Sequence, residues 1–294
     1  MATCRVLVLR AAGTNCDVET AYAWQLAGAQ ADRVHINALV AEPQLLRQYQ
    51  VLTVPGGFSY GDDIAAGKIF ANQLLHHVAG ELEAFRDRGG LILGICNGFQ
   101  VLTKAGLLPN LPADVLAREK ASPATAVSRV VPGEGRSPAA IAEEARTVLA
   151  RQQATLTWND SGRYQDLWVH LRVATDRCVF LQPGQMLYLP VAHAEGKVLF
   201  AGDEVRRAVH DQRLIALQYV DEQGRFGDWP VNPNGSTDHI AGLTDPTGRI
   251  LGLMPHPERF IDPTQHPHWP RLAEKPTPDG RSVFENAVRF VKRA

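Results

Sequence analysis

The stretch Leu91-Ile92-Leu93-Gly94-Ile95-Cys96-Asn97-Gly98-Phe99-Gln100 decides the fold. Leu91 to Ile95 is a short apolar run, the pattern of a strand buried on both faces of a parallel sheet. Gly98 to Lys104 then reads as a helix that closes at Gly106. A cysteine between two glycines at the strand-to-helix turn has the form of a nucleophile elbow. Such a turn strains the backbone of the nucleophile, and side chains at the positions two away would collide. The helix start behind it directs free N–H groups and partial positive charge at a thiolate, the reactive form of cysteine.

The same alternation of strand and helix runs through the first hundred residues. Arg5–Leu9 and Val51–Val54 are apolar runs, and Val34–Ile36 is a weaker one. After the first, Gly13-Thr14-Asn15 is a polar turn, and Asp17 and Glu19 suit a helix start. Val18, Tyr22 and Leu26 then fall on one helical face, with Gly28 as the cap. Residues 66 to 88 carry one helical pattern ending at Gly89-Gly90. Repeated βαβ units imply a parallel sheet with right-handed crossovers and helices on both faces. Residues 112 to 153 are rich in Ala, Pro, Arg and Glu and read as an insertion, with an amphipathic helix at Pro138–Gln152. Strand signals follow at Leu167–Val173, Met186–Val191, Lys197–Ala201, Leu214–Val220 and Ile250–Met254, and a last amphipathic helix begins at Ser282.

The chain has 294 residues, 30 Lys plus Arg, 31 Asp plus Glu and a net charge of −1, which gives no bulk case for a nucleic-acid or membrane-surface binder. Its 4 cysteines form neither a disulfide framework nor a CxxC zinc spacing. Val6–Leu9 is too short for a signal-peptide core, and no run approaches the ~20 apolar residues of a membrane helix. The expectation is a cytoplasmic protein with reduced thiols, and no metal.

A catalytic cysteine needs a base, and the base an orienting group. Among 10 histidines, His76-His77 read as a helix surface and His266-Pro267-His268 as a solvated loop. His256 follows the strand Ile250–Met254 within Pro255-His256-Pro257-Glu258-Arg259. Two prolines favour an extended chain there, so His256 and Glu258 point the same way and the carboxylate can take the imidazole N–H. In a parallel sheet this strand end faces the same crevice as the Cys96 turn. Pro55-Gly56-Gly57-Phe58-Ser59-Tyr60-Gly61-Asp62 leaves main-chain N–H groups free after a strand. We assign the oxyanion donors to Gly57, with Gly56 as the alternative, and to the N–H of Asn97. Cys16 and Cys178 read as structural.

Taken in order, PGGFSYGD, GICNGFQ, AHAEGK, NPNGS with IAGL, and MPHPER resemble the class I (triad) glutamine amidotransferases. PGGFSYGD and NPNGS narrow the likeness to the glutaminase subunits of phosphoribosylformylglycinamidine synthase. The resemblance runs from Val6 to about Arg259, apart from 112 to 153, and implies a single glutamine amidotransferase domain over 1–294 with that insertion. It implies an α/β fold: an open, mostly parallel, flavodoxin-like central sheet with helices on both faces and extra antiparallel strands. It further implies that Cys96 forms a glutamyl thioester, that His256 moves the proton and that Glu258 orients it. Gln100, His193, Glu195, Asn234 and Gly235 would surround the glutamine. Ala194 stands where that family usually has glycine, and GTNCD at residues 13–17 resembles its Gly-Ser-Asn-Cys-Asp turn.

Ammonia would pass to a synthetase subunit that uses ATP and magnesium to make formylglycinamidine ribonucleotide for purine biosynthesis, often with a third small subunit. This chain would hold no cofactor. A cysteine hydrolase of the dienelactone type shares the elbow and sheet, but it places its acid before its histidine. A non-catalytic scaffold predicts an incomplete triad, whereas all three members are present.

Overall fold

A computed structural model describes residues 3–113, 115–116 and 152–293. The apolar runs are strands, and the strands build the frame of the site. The first is β1 (Arg5–Arg10), followed by α1 (Asp17–Leu26), β2 (Gln30–His35) and α2 (Ile36–Ala41). β3 (Val51–Val54) leads through the glycine-rich loop to α3 (Lys68–His77) and α4 (Ala79–Asp87), and β4 (Leu91–Ile95) leads to α5 (Asn97–Lys104). Every residue of β3 and β4 is buried, as a strand covered on both faces requires.

The second half supplies β5 (Ala154–Thr157), β6 (Gln165–Val173), β7 (Met186–His193), β8 (Lys197–Phe200) and α6 (Asp203–Asp211). Then come β9 (Ile215–Val220), β10 (Ile240–Thr244), β11 (Ile250–Leu253) and α7 (Asp279–Arg293). The main sheet has 9 strands in the order β2-β1-β3-β4-β11-β10-β9-β6-β7. From β2 to β11 neighbouring strands are parallel, in the flavodoxin-like order, and from β11 to β7 they are antiparallel. β5 and β8 pair separately as a two-stranded ribbon. The last helix packs on the first: the rings of Trp24 and Phe284 meet edge to face at 5.0 Å. No helix among the described residues is long and apolar enough to cross a membrane.

Several local expectations need correction. In α1 the stripe Val18, Tyr22 and Leu26 faces solvent, at 60%, 54% and 37% exposure. The buried face is Asp17, Thr20, Ala21 and Trp24, at i, i+3, i+4 and i+7. One tryptophan, whose Nε1 donates to Thr53 Oγ1 at 3.0 Å, outweighs the three-residue apolar stripe. The helix of residues 66–88 is two helices, because Val78 leaves the helical region at φ −128°, ψ 0°. α2, α6, β5 and β10 add elements that were not anticipated. The amphipathic helix at Pro138–Gln152, and most of the stretch 112–153, lie outside the described residues.

Candidate active site

The C-terminal ends of β1, β3, β4 and β11 converge, and each delivers one part of the site. Cys96 stands between β4 and α5 with φ +51° and ψ −105°, a backbone conformation that side chains other than glycine adopt only under strain. The two glycines around it are required by space. A Cβ on Gly98 would lie 1.9 Å from Val54 O, and one on Gly94 would lie 2.6 Å from Leu102 Cδ1 and 2.8 Å from Gly98 C. The elbow is tied to the next strand by Cys96 N–H, which donates to Leu253 O at 2.7 Å. Sγ lies 3.7 Å from Ala192 O.

β11 runs parallel to β4 with Leu253 opposite Ile95, so the chain leaving β11 arrives beside the elbow. His256 is extended (φ −103°, ψ 90°), but Pro257–Arg259 is a 3-10 turn and not the extended segment expected of two prolines. The turn still brings the pair together: His256 Nδ1 and Glu258 Oε1 are 2.7 Å apart, with both residues buried. His256 Nε2 and Glu258 Oε2 are buried without a hydrogen-bond partner among the described residues. Burial opposes a charge on His256. The carboxylate of Glu258, followed by the thiols of Cys96 and Cys16, nevertheless holds its pKa well above the ordinary value.

The loop after β3 meets the elbow through Asn97. Asn97 Oδ1 accepts from Ser59 N–H at 3.4 Å, and Nδ2 donates to Asp62 Oδ1 at 3.2 Å and to Gln100 Oε1 at 2.9 Å. Gly57 has φ +141°, and a Cβ there would come within 2.8 Å of Asn15 N. Gly57 is thus packed on the turn after β1, and Gly56 against the His256 ring and the Cys16 sulfur. Burial raises the Asp62 carboxyl, and the nearby Glu195 adds to the rise.

The loop after β7 forms the opposite wall. Gln100 Nε2 donates to Glu195 O at 2.6 Å, which links the nucleophile helix to that loop. His193 is buried, its Nδ1 3.2 Å from Asn159 Oδ1, and burial first and the charge of His256 second push its pKa down to about 3. Ala194 has a negative φ, so the exchange of glycine for alanine costs the backbone nothing there. Asn234 and Gly235 are spent on the wall itself. Asn234 Nδ2 donates to Gly196 O at 2.9 Å and its Oδ1 accepts from Ser236 N–H at 3.0 Å. Gly235, at φ +73°, lies where a Cβ would be 1.9 Å from Asp160 Oδ2.

Two residues escaped the sequence reading. Asn159, 2% exposed, donates to His193 O at 2.9 Å and accepts from Gly196 N–H at 3.0 Å, which fixes the 193–196 loop. Its only signal was a turn-like Trp-Asn-Asp-Ser-Gly composition. Cys16 is the other: its thiol stands at the His256 ring, while Cys178 is remote and its thiol is pushed up to about 12 by burial.

A cysteine on a strained elbow and a buried histidine–carboxylate pair on a flavodoxin-like sheet have the form of a thiol amidase. Residues 3–291 match the family described as CobB/CobQ-like glutamine amidotransferase domain. The chain is 39% identical to phosphoribosylformylglycinamidine synthase subunit PurQ of Dehalococcoides mccartyi, over 100% of both chains. It is 34% identical to the subunit of that name from Methanococcus maripaludis, over 98% of each. Among solved structures, "Structure of PurLQS from Thermotoga maritima" superposes with a TM-score of 0.66 at 25% identity, covering 99% of this chain and 100% of the other. The chain belongs to this amidotransferase family, and within it to the PurQ subunits of phosphoribosylformylglycinamidine synthase.

Proposed function

We propose that this chain is the glutaminase subunit of a phosphoribosylformylglycinamidine synthase. It hydrolyses L-glutamine to glutamate and ammonia, and the ammonia serves a synthetase subunit in purine biosynthesis. The observation that carries the reading is the Cys96 elbow placed beside the His256–Glu258 pair.

The Cys96 sulfur attacks the carboxamide carbon. The oxyanion that forms takes hydrogen bonds from the N–H groups of Gly57 and Asn97. His256 holds the thiol proton at Nε2, the nitrogen that Glu258 leaves free, and gives it to the departing nitrogen. The C–N bond breaks, ammonia leaves and a glutamyl thioester remains. Water, deprotonated by His256, then opens the thioester, releases glutamate and restores the thiol.

Gln100, His193 and Glu195 line the wall the substrate meets, with His193 neutral, while Asn234 and Gly235 hold that wall in shape. We read the chain as one amidotransferase unit with an insertion near 112–153. The partners are a synthetase subunit, which binds ATP and magnesium, and a third small subunit. The compartment is the cytoplasm. No observation favours a dienelactone-type hydrolase, and the acid two residues after the histidine speaks against it.

The test is reconstitution with the synthetase. Cys96→Ala abolishes glutamine-dependent synthesis and leaves ammonia-dependent synthesis intact, and diazo-oxonorleucine modifies Cys96 in the wild-type complex. Label found on Cys16 and not on Cys96, or ammonia-dependent synthesis lost with Cys96→Ala, overturns the assignment.

A further inference from the structure

Cys16 has no part in the chemistry above, yet its thiol stands beside the base. It precedes α1 directly and is 1% exposed. Its backbone N–H donates to Gly56 O at 3.4 Å. Its Sγ accepts from Arg259 Nη2 at 3.2 Å and donates to Asn15 Oδ1 at 3.2 Å. Arg259 is held on its other side by Glu19, with Nε donating to Oε1 at 3.0 Å. A point one Cβ above Gly56 lies 2.8 Å from His256 Cε1, 3.4 Å from His256 Nδ1 and 3.2 Å from Cys16 Sγ. The sulfur and the Cε1–Nδ1 edge of the ring therefore bound the same small space.

The ring is thus fenced on three sides. Glu258 takes Nδ1, Gly56 lies under Cε1, and Cys16 closes that edge. Nε2, without a protein partner among the described residues, is left for Cys96. We propose that Cys16 is a positioning residue: its thiol braces the imidazole edge and the Arg259 guanidinium, and so keeps His256 aimed at the nucleophile.

Donor atoms of Cys16, His256 and Glu258 also lie within 4.8 Å of one another, a set of types that zinc accepts. Two features oppose a metal there. A cation would sit against the permanent charge of Arg259 at 3.2 Å from the sulfur. It would also break the 2.7 Å bond that orients the base. A brace needs neither change.

The role rests on the glutaminase reading, and the experiment separates the two. Wild type, Cys16→Ala, Cys16→Ser and Arg259→Gln are compared in the reconstituted complex by glutaminase kinetics across pH. Cys16→Ala lowers kcat about tenfold and leaves KM for glutamine within about twofold, as expected when a base loses its aim and substrate contacts remain. It also moves the limb governed by His256 to lower pH. Cys16→Ser, which keeps the polar contacts, recovers most of the loss. Arg259→Gln, at a half-buried position, unclamps the thiol and lowers kcat, with KM for glutamine again within about twofold. Wild-type kcat and profile in Cys16→Ala overturn the proposal, as does a rise in KM alone. If the alanine variant does not fold, a wild-type kcat in Arg259→Gln overturns it. A wild-type complex that turns over no glutamine overturns the glutaminase reading itself; wild-type turnover with unmoved variants overturns only the role of Cys16.

Discussion

Gly56→Ala places one methyl group where the base has no room. Gly56 is buried and does not have a positive φ, so alanine is compatible with the backbone itself. The new carbon would be 2.8 Å from His256 Cε1 and 3.2 Å from Cys16 Sγ. Carbon atoms rest about 3.5–4.0 Å apart, so the imidazole must retreat by roughly 1 Å. A misplacement of about that size costs on the order of a hundredfold in rate. Overpacking costs about 1–3 kcal/mol of stability, which a folded domain of this size survives. The expected result is kcat down about a hundredfold in the reconstituted complex, with KM for glutamine nearly unchanged and ammonia-dependent synthesis at the wild-type rate. Modification of Cys96 by diazo-oxonorleucine slows in parallel, because it needs the same base. Gly80→Ala is the control, since a Cβ there meets nothing within 4 Å. A Gly56→Ala enzyme within about threefold of wild-type kcat refutes the claim that the ring is held in a space this tight.

Glu258→Gln keeps the shape of the buried acid and removes its charge. An amide in the corresponding place of a serine triad costs roughly ten-thousandfold, and a loss of roughly a thousand- to ten-thousandfold in kcat is expected here. Loss of less than about tenfold, read by steady-state glutaminase kinetics, would show that Glu258 does not orient His256. His193 gives a stability signature. Its folded pKa is about 3, whereas the unfolded chain takes up a proton near 6.5, so its contribution is fully present above about 6.5 and is lost as pH falls towards 3. Between pH 7 and about 4.5 urea titrations should lose about 2–3 kcal/mol through this residue, and His193→Gln should flatten that part of the slope. An identical slope in the variant contradicts the buried neutral state.

The parallel half of the fold was legible because strands buried on both faces read as unbroken apolar runs, as in VLTV and LILGI. β10 (IAGLT) was not read as a strand, because Gly242 breaks a short apolar run; in the structure its pairing with β9 shifts register on either side of that glycine. That glycine has a physical cause outside its own segment: a Cβ on it would come 2.8 Å from Gly252 O of the neighbouring strand. α1 shows the converse failure, where a clean apolar spacing lies on the exposed face. The elbow and the His–Glu pair were legible because each is a local device, decided within five residues or fewer. Cys16 was not, because what gives it meaning is an imidazole and a guanidinium near the other end of the chain. Its neighbours Glu19 and Arg259 are 240 positions apart and meet only once β1 and β11 share a sheet.

The distance between nucleophile and base is therefore a property of strand register more than of either motif. β4 and β11 are adjacent and parallel, with Ile250, Leu251, Gly252 and Leu253 opposite Ile92, Leu93, Gly94 and Ile95. A slip of one residue would move His256 by about 3.3 Å and turn alternate side chains to the other face. Two glycines, Gly94 and Gly252, face each other in that register. Both are space-limited by the nucleophile helix: a Cβ on Gly252 would lie 2.1 Å from Phe99 Cδ2, and one on Gly94 2.6 Å from Leu102 Cδ1. The helix that follows Cys96 thus presses on both strands at once and admits only the pairing in which they present glycine together. The bond from Cys96 N–H to Leu253 O, at 2.7 Å, closes that register at the elbow itself. Glycine facing glycine beneath α5 is what lets two motifs far apart in the chain arrive as one site.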